Sequence, residues 1–235
     1  MDYPVNSITA ALFYPRVPLE HGVAFANEFI QRTGSTLDYE PMVLPLREPV
    51  PPDAPRIVLR SRDSLFVCEL ALNRVNFHYY GHNGPPQSLE RVFPRYREAL
   101  YRVITALSEM IEEKANRLGF VVKIVKQTAG DASAILLDEF ICDERFDEAV
   151  ETHLHFLHQF ELEGLPCNRW VRFRSLRPPN AQGESRHALF EIDVNTRAEY
   201  NHVFASHEVV SFFLEAYEHA RKQAERLMTF AGDEA

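Results

Sequence analysis

The stretch from Pro55 to Leu118 constrains the fold most, because its hydrophobic pattern changes phase once and then changes period. Arg56-Ile57-Val58-Leu59-Arg60-Ser61-Arg62 is β-branched and apolar and follows Pro51, Pro52 and Pro55, which reads as a strand entered from a stiff linker. Asp63-Ser64 reads as a turn. Beyond it Phe66, Cys68, Leu70 and Leu72 share one parity, and after Asn73-Arg74 the apolar set shifts to Val75, Phe77 and Tyr79. Side chains alternate along a strand with a period of two, so a change of face needs a turn or a bulge. The shift predicts a hairpin of residues 65–71 and 75–80 around a turn at 72–74; one long bulged strand is the alternative. After Gly81-His82-Asn83-Gly84-Pro85-Pro86 the spacing becomes helical. Tyr96, Leu100, Val103, Ile104, Leu107, Ile111 and Leu118 form one stripe. Pro94 suits a first helical turn and Gly119 a helix end, which predicts ~25 residues and roughly 37 Å of helix. A helix striped on one side should lie on a sheet whose other face is free or covered by a partner.

The rest of the chain fits around that unit. Residues 7–14 read as a strand with Ile8, Ala10, Leu12 and Tyr14 on one face. Residues 19–32 read as a helix with Leu19, Val23, Ala26 and Ile30 in a row and Gly34 at its end. Residues 36–46 read as an edge strand, since Pro41 and Pro45 would interrupt an interior one. Residues 120–126 are β-forming on both faces and belong inside the sheet. Residues 134–141 are read as a strand, and 144–158 as a helix capped by Asp143, with 155–162 alternating as a competing strand. Residues 164–168 read as loop, holding Cys167. Residues 170–176 form a strand with Val171 and Phe173 opposed to Arg172 and Arg174. Residues 178–186 read as a polar loop, 188–194 and 198–203 as a second hairpin, and a helix capped by Ser206 runs to about residue 229. The fold class expected is α+β: an antiparallel sheet with long amphipathic helices on one face. The domain expected is 1–235 in one piece, open to a division into related strand-hairpin-helix halves 1–118 and 119–231, with 232–235 a disordered tail.

Composition narrows the function classes. A formal charge of −9 over 235 residues repels phosphate backbones and anionic headgroups, which counts against nucleic acid and membrane as partners. No apolar run approaches the length of a membrane span, and Met1-Asp2-Tyr3-Pro4 does not start like a signal peptide, so a cytoplasmic location is expected. Cys68, Cys142 and Cys167 lack metal or disulfide spacing.

Three clusters carry chemistry-bearing residues. On a helix only His155 and His158 of the trio His153, His155 and His158 would share a face; with no third ligand at a diagnostic spacing, a solvated face is the reading preferred to a metal site. His78, Tyr80 and His82 alternate towards a glycine turn and suit either a pocket mouth or a polar outer face, the latter preferred. Arg169, Trp170, Arg172, Arg174 and Arg177 are the one basic cluster. They suit either a phosphate-bearing strand or salt bridges to Glu191 and Asp193, the latter preferred. No nucleophile elbow or phosphate loop is present, and no cofactor is expected.

The short motifs carry a resemblance. Leu65-Phe66-Val67-Cys68-Glu69-Leu70, Asn73-Arg74-Val75-Asn76-Phe77 and Phe93-Pro94-Arg95-Tyr96, with Phe190-Glu191-Ile192-Asp193-Val194 before the closing helix, resemble a family of sporadically distributed, uncharacterised bacterial and archaeal proteins of similar length. Residues 120–128 depart from that family's pattern. The resemblance implies a setting in mobile or defence-related gene neighbourhoods and no residue role. The expectation is a non-enzymatic binding or interaction protein, part of a bacterial defence or toxin–antitoxin-like module, working through a protein partner or self-association. The alternative is a small-molecule sensor whose apolar or aromatic ligand sits between helix and sheet. Its candidate ligand-binding residues are Phe77, Tyr79 and Tyr96, with His78, Arg172 and Arg174.

Overall fold

Strand parity decides the layering of this molecule. The computed structural model describes residues 4–44, 50–83, 86–141, 151–176 and 186–228. The strands are β1 (Val5–Phe13), β2 (Met42–Val43), β3 (Ile57–Arg60), β4 (Phe66–Leu70), β5 (Arg74–Tyr80), β6 (Arg117–Gln127), β7 (His153–Leu162), β8 (Leu165–Leu176) and β9 (His187–Thr196). The helices are α1 (Gly22–Thr33), α2 (Leu89–Met110), α3 (Ala132–Phe140) and α4 (Ser206–Met228). One nine-stranded antiparallel sheet runs in the order β2-β3-β4-β5-β1-β6-β9-β8-β7. The order is symmetric about the central β1–β6 pair: β5 and β9 flank it, then β4 and β8, then β3 and β7. In chain order a central strand and a helix come first in each half, the outer strands next and a long helix last.

One parity of each inner strand is buried under the helices, whereas the edge strand β7 is largely exposed. Ile8, Ala10 and Leu12 of β1, Val75 and Phe77 of β5, Phe120 and Val122 of β6 and Phe190 and Ile192 of β9 are all essentially inaccessible. Phe120 shows how the helices use that face. Its ring lies 6.4 Å from Phe93 and 6.5 Å from Tyr96 of α2, and 6.3 Å from Phe213 of α4. The α3 ring Phe140 packs 4.4 Å from Phe173 of β8, and α1 sits over Val43 and Ile57. Thus the four described helices share one face, and the expected α+β layering holds.

The β4–β5 hairpin and its turn are as the parity shift predicted, with Leu70 opposite Val75. Other boundaries differ. The long helix ends at Met110, not near Leu118, and Ile111 is extended. Asn116 donates to Phe13 and Phe204 to Ala115, so the turn between α2 and β6 is held by the sheet and by the chain entering α4. Pro94 stands well inside α2, and Gly119 lies within β6 as its third residue. Within α1 the buried set is Phe25, Ala26 and Phe29, whereas Val23 is 60% exposed. The strand expected at 36–46 shrinks to Met42–Val43 among the described residues, and the one expected at 134–141 is helix α3, whose Asp131 cap accepts from Ser133.

Residues 153–162 are strand rather than helix, and 165–168 belong to β8, so Cys167 is a buried strand residue, not a loop one. Residues 198–203 form no strand; β9 pairs with β8 and β6 instead. The Asp143 cap, the loop at 178–185 and the tail at 232–235 lie outside the described residues. The final helix starts at Ser206, but Ser206 is its first residue and not its cap; Glu208 instead accepts from the Ala205 amide just before it.

Two glycines make opposite demands. A Cβ on Gly81 would stand 1.9 Å from the Val5 carbonyl oxygen, whereas on Gly119 it would meet Ala11 and Asn195 at an ordinary 3.7 Å. Gly81→Ala is expected to lower stability by at least ~2 kcal/mol and Gly119→Ala to change it by under ~1 kcal/mol, as read by chemical denaturation.

Candidate functional site

The parity that the helices leave uncovered forms a second, polar surface. Antiparallel register aligns its side chains in rows across the central strands. One row runs Glu69, Asn76, Ala11, Gly119, Asn195 and Asn168, and the next runs His78, Thr9, Val121, Asp193 and Trp170. At the end of the central pair lies a third, Arg74, Phe13 and Arg117. No described helix covers these rows.

On the β8–β9 side the charges neutralise one another. Arg172 bonds Glu191 and reaches Asp193 at 3.2 Å, and Lys123 reaches Glu191 at 3.0 Å. Burial would raise the Glu191 carboxyl, but the Lys123 and Arg172 bonds outweigh it and hold its pKa below the ordinary value. Arg172 also lies 5.2 Å over the Trp170 ring. The salt bridges expected there are present for Arg172; Arg174 instead joins Glu151 at 3.3 Å, beside His153. On the β5 side His78 takes Thr9 at 2.9 Å and Glu69 at 3.4 Å, and the His78 bond holds the Glu69 carboxyl low. His78 and Tyr80 stack at 5.4 Å on the polar outer face, as preferred from sequence.

The third row is different. Arg74 and Arg117 flank the Phe13 ring at 5.9 and 5.0 Å, a cation–π arrangement from both sides. Arg117 donates to Asn195 at 3.4 Å. Among the described residues neither guanidinium has a carboxylate within ion-pair distance, and the buried Nε of each lacks a hydrogen-bond partner. Sequence reading passed over all three residues. Their only signal was an arginine immediately before the apolar set of β5, another opening β6, and an aromatic on the polar parity of β1.

Phe77, Tyr79 and Tyr96 lie on the other side of the sheet, in the core. Phe77 stacks on Phe66 at 5.7 Å and on Tyr96 at 5.4 Å, and the Tyr96 hydroxyl donates to the Phe77 carbonyl at 2.9 Å. Burial pushes the Tyr96 phenol up. The structure therefore does not bring the six candidate residues together: three are core, and His78 stands several strands from Arg172 and Arg174.

Recesses border the helices. A groove of about 920 Å³ between α2 and α4 is lined by Leu100, Tyr101, Val210, Phe213 and Leu214. A charged recess of about 320 Å³ holds Asp38, Asp63, Glu98, Arg62, Arg95 and Arg102. Its charges are matched pairwise, Arg62 with Asp38, Arg95 with Asp63 and Arg102 with Glu98. Phe77, Tyr79 and Tyr96 line neither. On strand β7, His153 and His155 share a face and His158 takes the other, so the helical spacing considered for a metal site does not exist. No cluster of three metal-ligating side chains occurs among the described residues. No described helix is long and apolar enough to cross a membrane.

Compared with protein-family models, curated proteins and solved structures, the chain matches none.

One histidine is tuned by this architecture. His219 of α4 stacks on Phe160 at 4.5 Å with Arg169 at 3.0 Å. Burial first, then the charges of Arg169, His158, Lys222 and Arg226, push its pKa down to about 4. The unfolded chain takes up this proton near the ordinary histidine value and the folded chain only near 4. Stability is therefore lost as pH falls through that interval. The thermal midpoint is expected to drop between about pH 7 and about pH 5, and to drop less in His219→Gln.

Proposed function

We propose that this chain is a non-enzymatic interaction protein that holds a protein partner against the helix-free face of its sheet. The observation that supports the reading is the Arg74–Phe13–Arg117 row. It presents two cations with no carboxylate within ion-pair distance among the described residues, on a chain whose net charge is −9, whereas on the β6, β8 and β9 side of the same face Lys123, Arg172 and Arg174 are matched. A partner segment bearing carboxylates would meet both guanidiniums beside the small residues Ala11 and Gly119. The overall negative charge opposes a nucleic-acid strand in the same place. A cytoplasmic setting belongs to this proposal, as does a bacterial defence or toxin–antitoxin-like module, which rests on the family resemblance alone. Descent of the two halves from one duplicated unit is part of it too, supported by the symmetric strand order.

A second reading, binding of a small apolar or aromatic molecule, is favoured by the apolar groove between α2 and α4, where Tyr101 is 59% exposed. It moves the ligand outside the helix layer, because the space between helix and sheet is filled by Phe66, Phe77 and Tyr96.

The test is capture from a lysate of the producing organism, run in parallel on the native chain and on Arg74→Glu/Arg117→Glu. A protein retained by the native chain should be retained at least about tenfold less by the double variant, with the thermal midpoint unchanged. Equal retention by both would discard the site.

A further inference from the structure

The two edges of the sheet are built differently. At one end β2 pairs for only two residues, Met42 and Val43. At the other, β7 is a ten-residue strand paired on one side with β8, in unbroken register from His153–Arg174 to Leu162–Leu165. Exposed edges are commonly guarded by lysine, proline, bulges or short length. The sequence His153-Leu154-His155-Phe156-Leu157-His158-Gln159-Phe160-Glu161-Leu162 has none of these. Its middle is apolar on both faces, with Phe156 46% and Leu157 48% exposed.

The direction of the free backbone groups follows from the hairpin. Glu163 and Gly164 have positive φ, 48° and 78°, which makes a two-residue turn closed by Leu162 and Leu165. At the far end the Ser175 amide donates to the Thr152 carbonyl at 3.1 Å. Even-numbered residues of β7 therefore bond to β8. The N–H and C=O groups of His153, His155, Leu157, Gln159 and Glu161 point outward, where no described strand meets them.

The geometry points to a second copy of this chain as the occupant of that edge: two β7 strands pair antiparallel about a two-fold axis at Leu157 and join two sheets into one. In this register every outward residue faces another outward residue, as antiparallel hydrogen bonding requires. Leu157 meets Leu157 of the second copy, His155 meets Gln159, and His153, which touches Glu151 at 2.7 Å within its own chain, meets Glu161. On the helix side Leu154 meets Phe160 and Phe156 meets His158. No like charges oppose one another among carboxylates and guanidiniums, and the exposed apolar centre is covered by its own image. The short opposite edge closes the assembly at two copies instead of a filament. This interface is separate from the Arg74–Phe13–Arg117 site and does not depend on it.

The experiment is sedimentation of the full chain with two variants. The native protein should be a dimer at about 100 µM, well above the dissociation constants of stable dimers. Leu157→Lys places two ammonium groups on the axis and should weaken the dimer at least about tenfold, while its circular dichroism stays native because its side chain is half exposed and its amide does not bond β8. Leu157→Cys in a Cys142→Ser background should give a single disulfide-linked dimer on mild oxidation, since facing Cα atoms of a hydrogen-bonded pair lie ~5.5 Å apart. A native monomer at that concentration would overturn the proposal. So would a Leu157→Lys dimer as tight as the native one, or failure of Leu157→Cys to cross-link.

Discussion

The pairing of β1 with β6 is the constraint on which the remaining structure hangs. Ile8 faces Val122, Ala10 faces Phe120 and Leu12 faces Leu118. These residues form the buried floor beneath the helices. A slip of one residue would send them to the polar side and bring Thr9, Ala11, Val121 and Lys123 under the helices. The small Ala10 leaves room for the Phe120 ring, which both long helices contact. Burying a ring of that size is worth ~1.5–3 kcal/mol by area alone. Its larger role is geometric, because α2 from one half and α4 from the other are positioned against the same side chain.

Local pattern revealed those elements whose limits are local. The parity change after Leu72 requires a turn wherever the strand sits, so the β4–β5 hairpin could be read directly. The end of α2 could not. Ile111 and Leu118 are seven residues apart, which continues a helical stripe, and Glu112-Glu113-Lys114 favours helix. What stops the helix is tertiary: Ile111 and Ala115 are buried, and the carbonyls of Phe13 and Ala115 are bonded across the turn. The histidine stretch failed for a related reason. Leu154, Leu157 and the aromatics at 156 and 160 satisfy a helical and a strand period about equally over so short a run. Pairing with β8 decides the matter, and it also separates His155 from His158.

The candidate site was legible only in part. Arg172 and its carboxylates could be anticipated because all three lie on neighbouring strands of regular alternation. Phe77, Tyr79 and Tyr96 were drawn towards a ligand by their aromatic character, yet that same character fills the core, where they stack on one another and on Phe66. The Phe13 row comes from three separate parts of the chain. With the helix read through to Leu118, Arg117 stood on a helix and had no row to join. Correct register on both sides of β1 is needed before Arg74, Phe13 and Arg117 become neighbours.

That row also shows why the sheet cannot neutralise itself everywhere. Charges in a sheet are matched by residues directly opposite or diagonal on the next strand. Around Lys123 those positions hold Glu191, and around Arg172 they hold Glu191 and Asp193, so the network closes within β6, β8 and β9. Beside Phe13 the directly facing positions are both arginine, and the next positions along the face, Asn76 on β5 and Gly119 on β6, carry no charge. The nearest acid on that side, Glu69, is already bonded to His78. The ring separates the two cations and favours each through its faces, which offsets part of their repulsion without cancelling the charge. On a chain of net charge −9, the two cations that register leaves without an ion pair around Phe13 stand side by side at the end of the central strand pair.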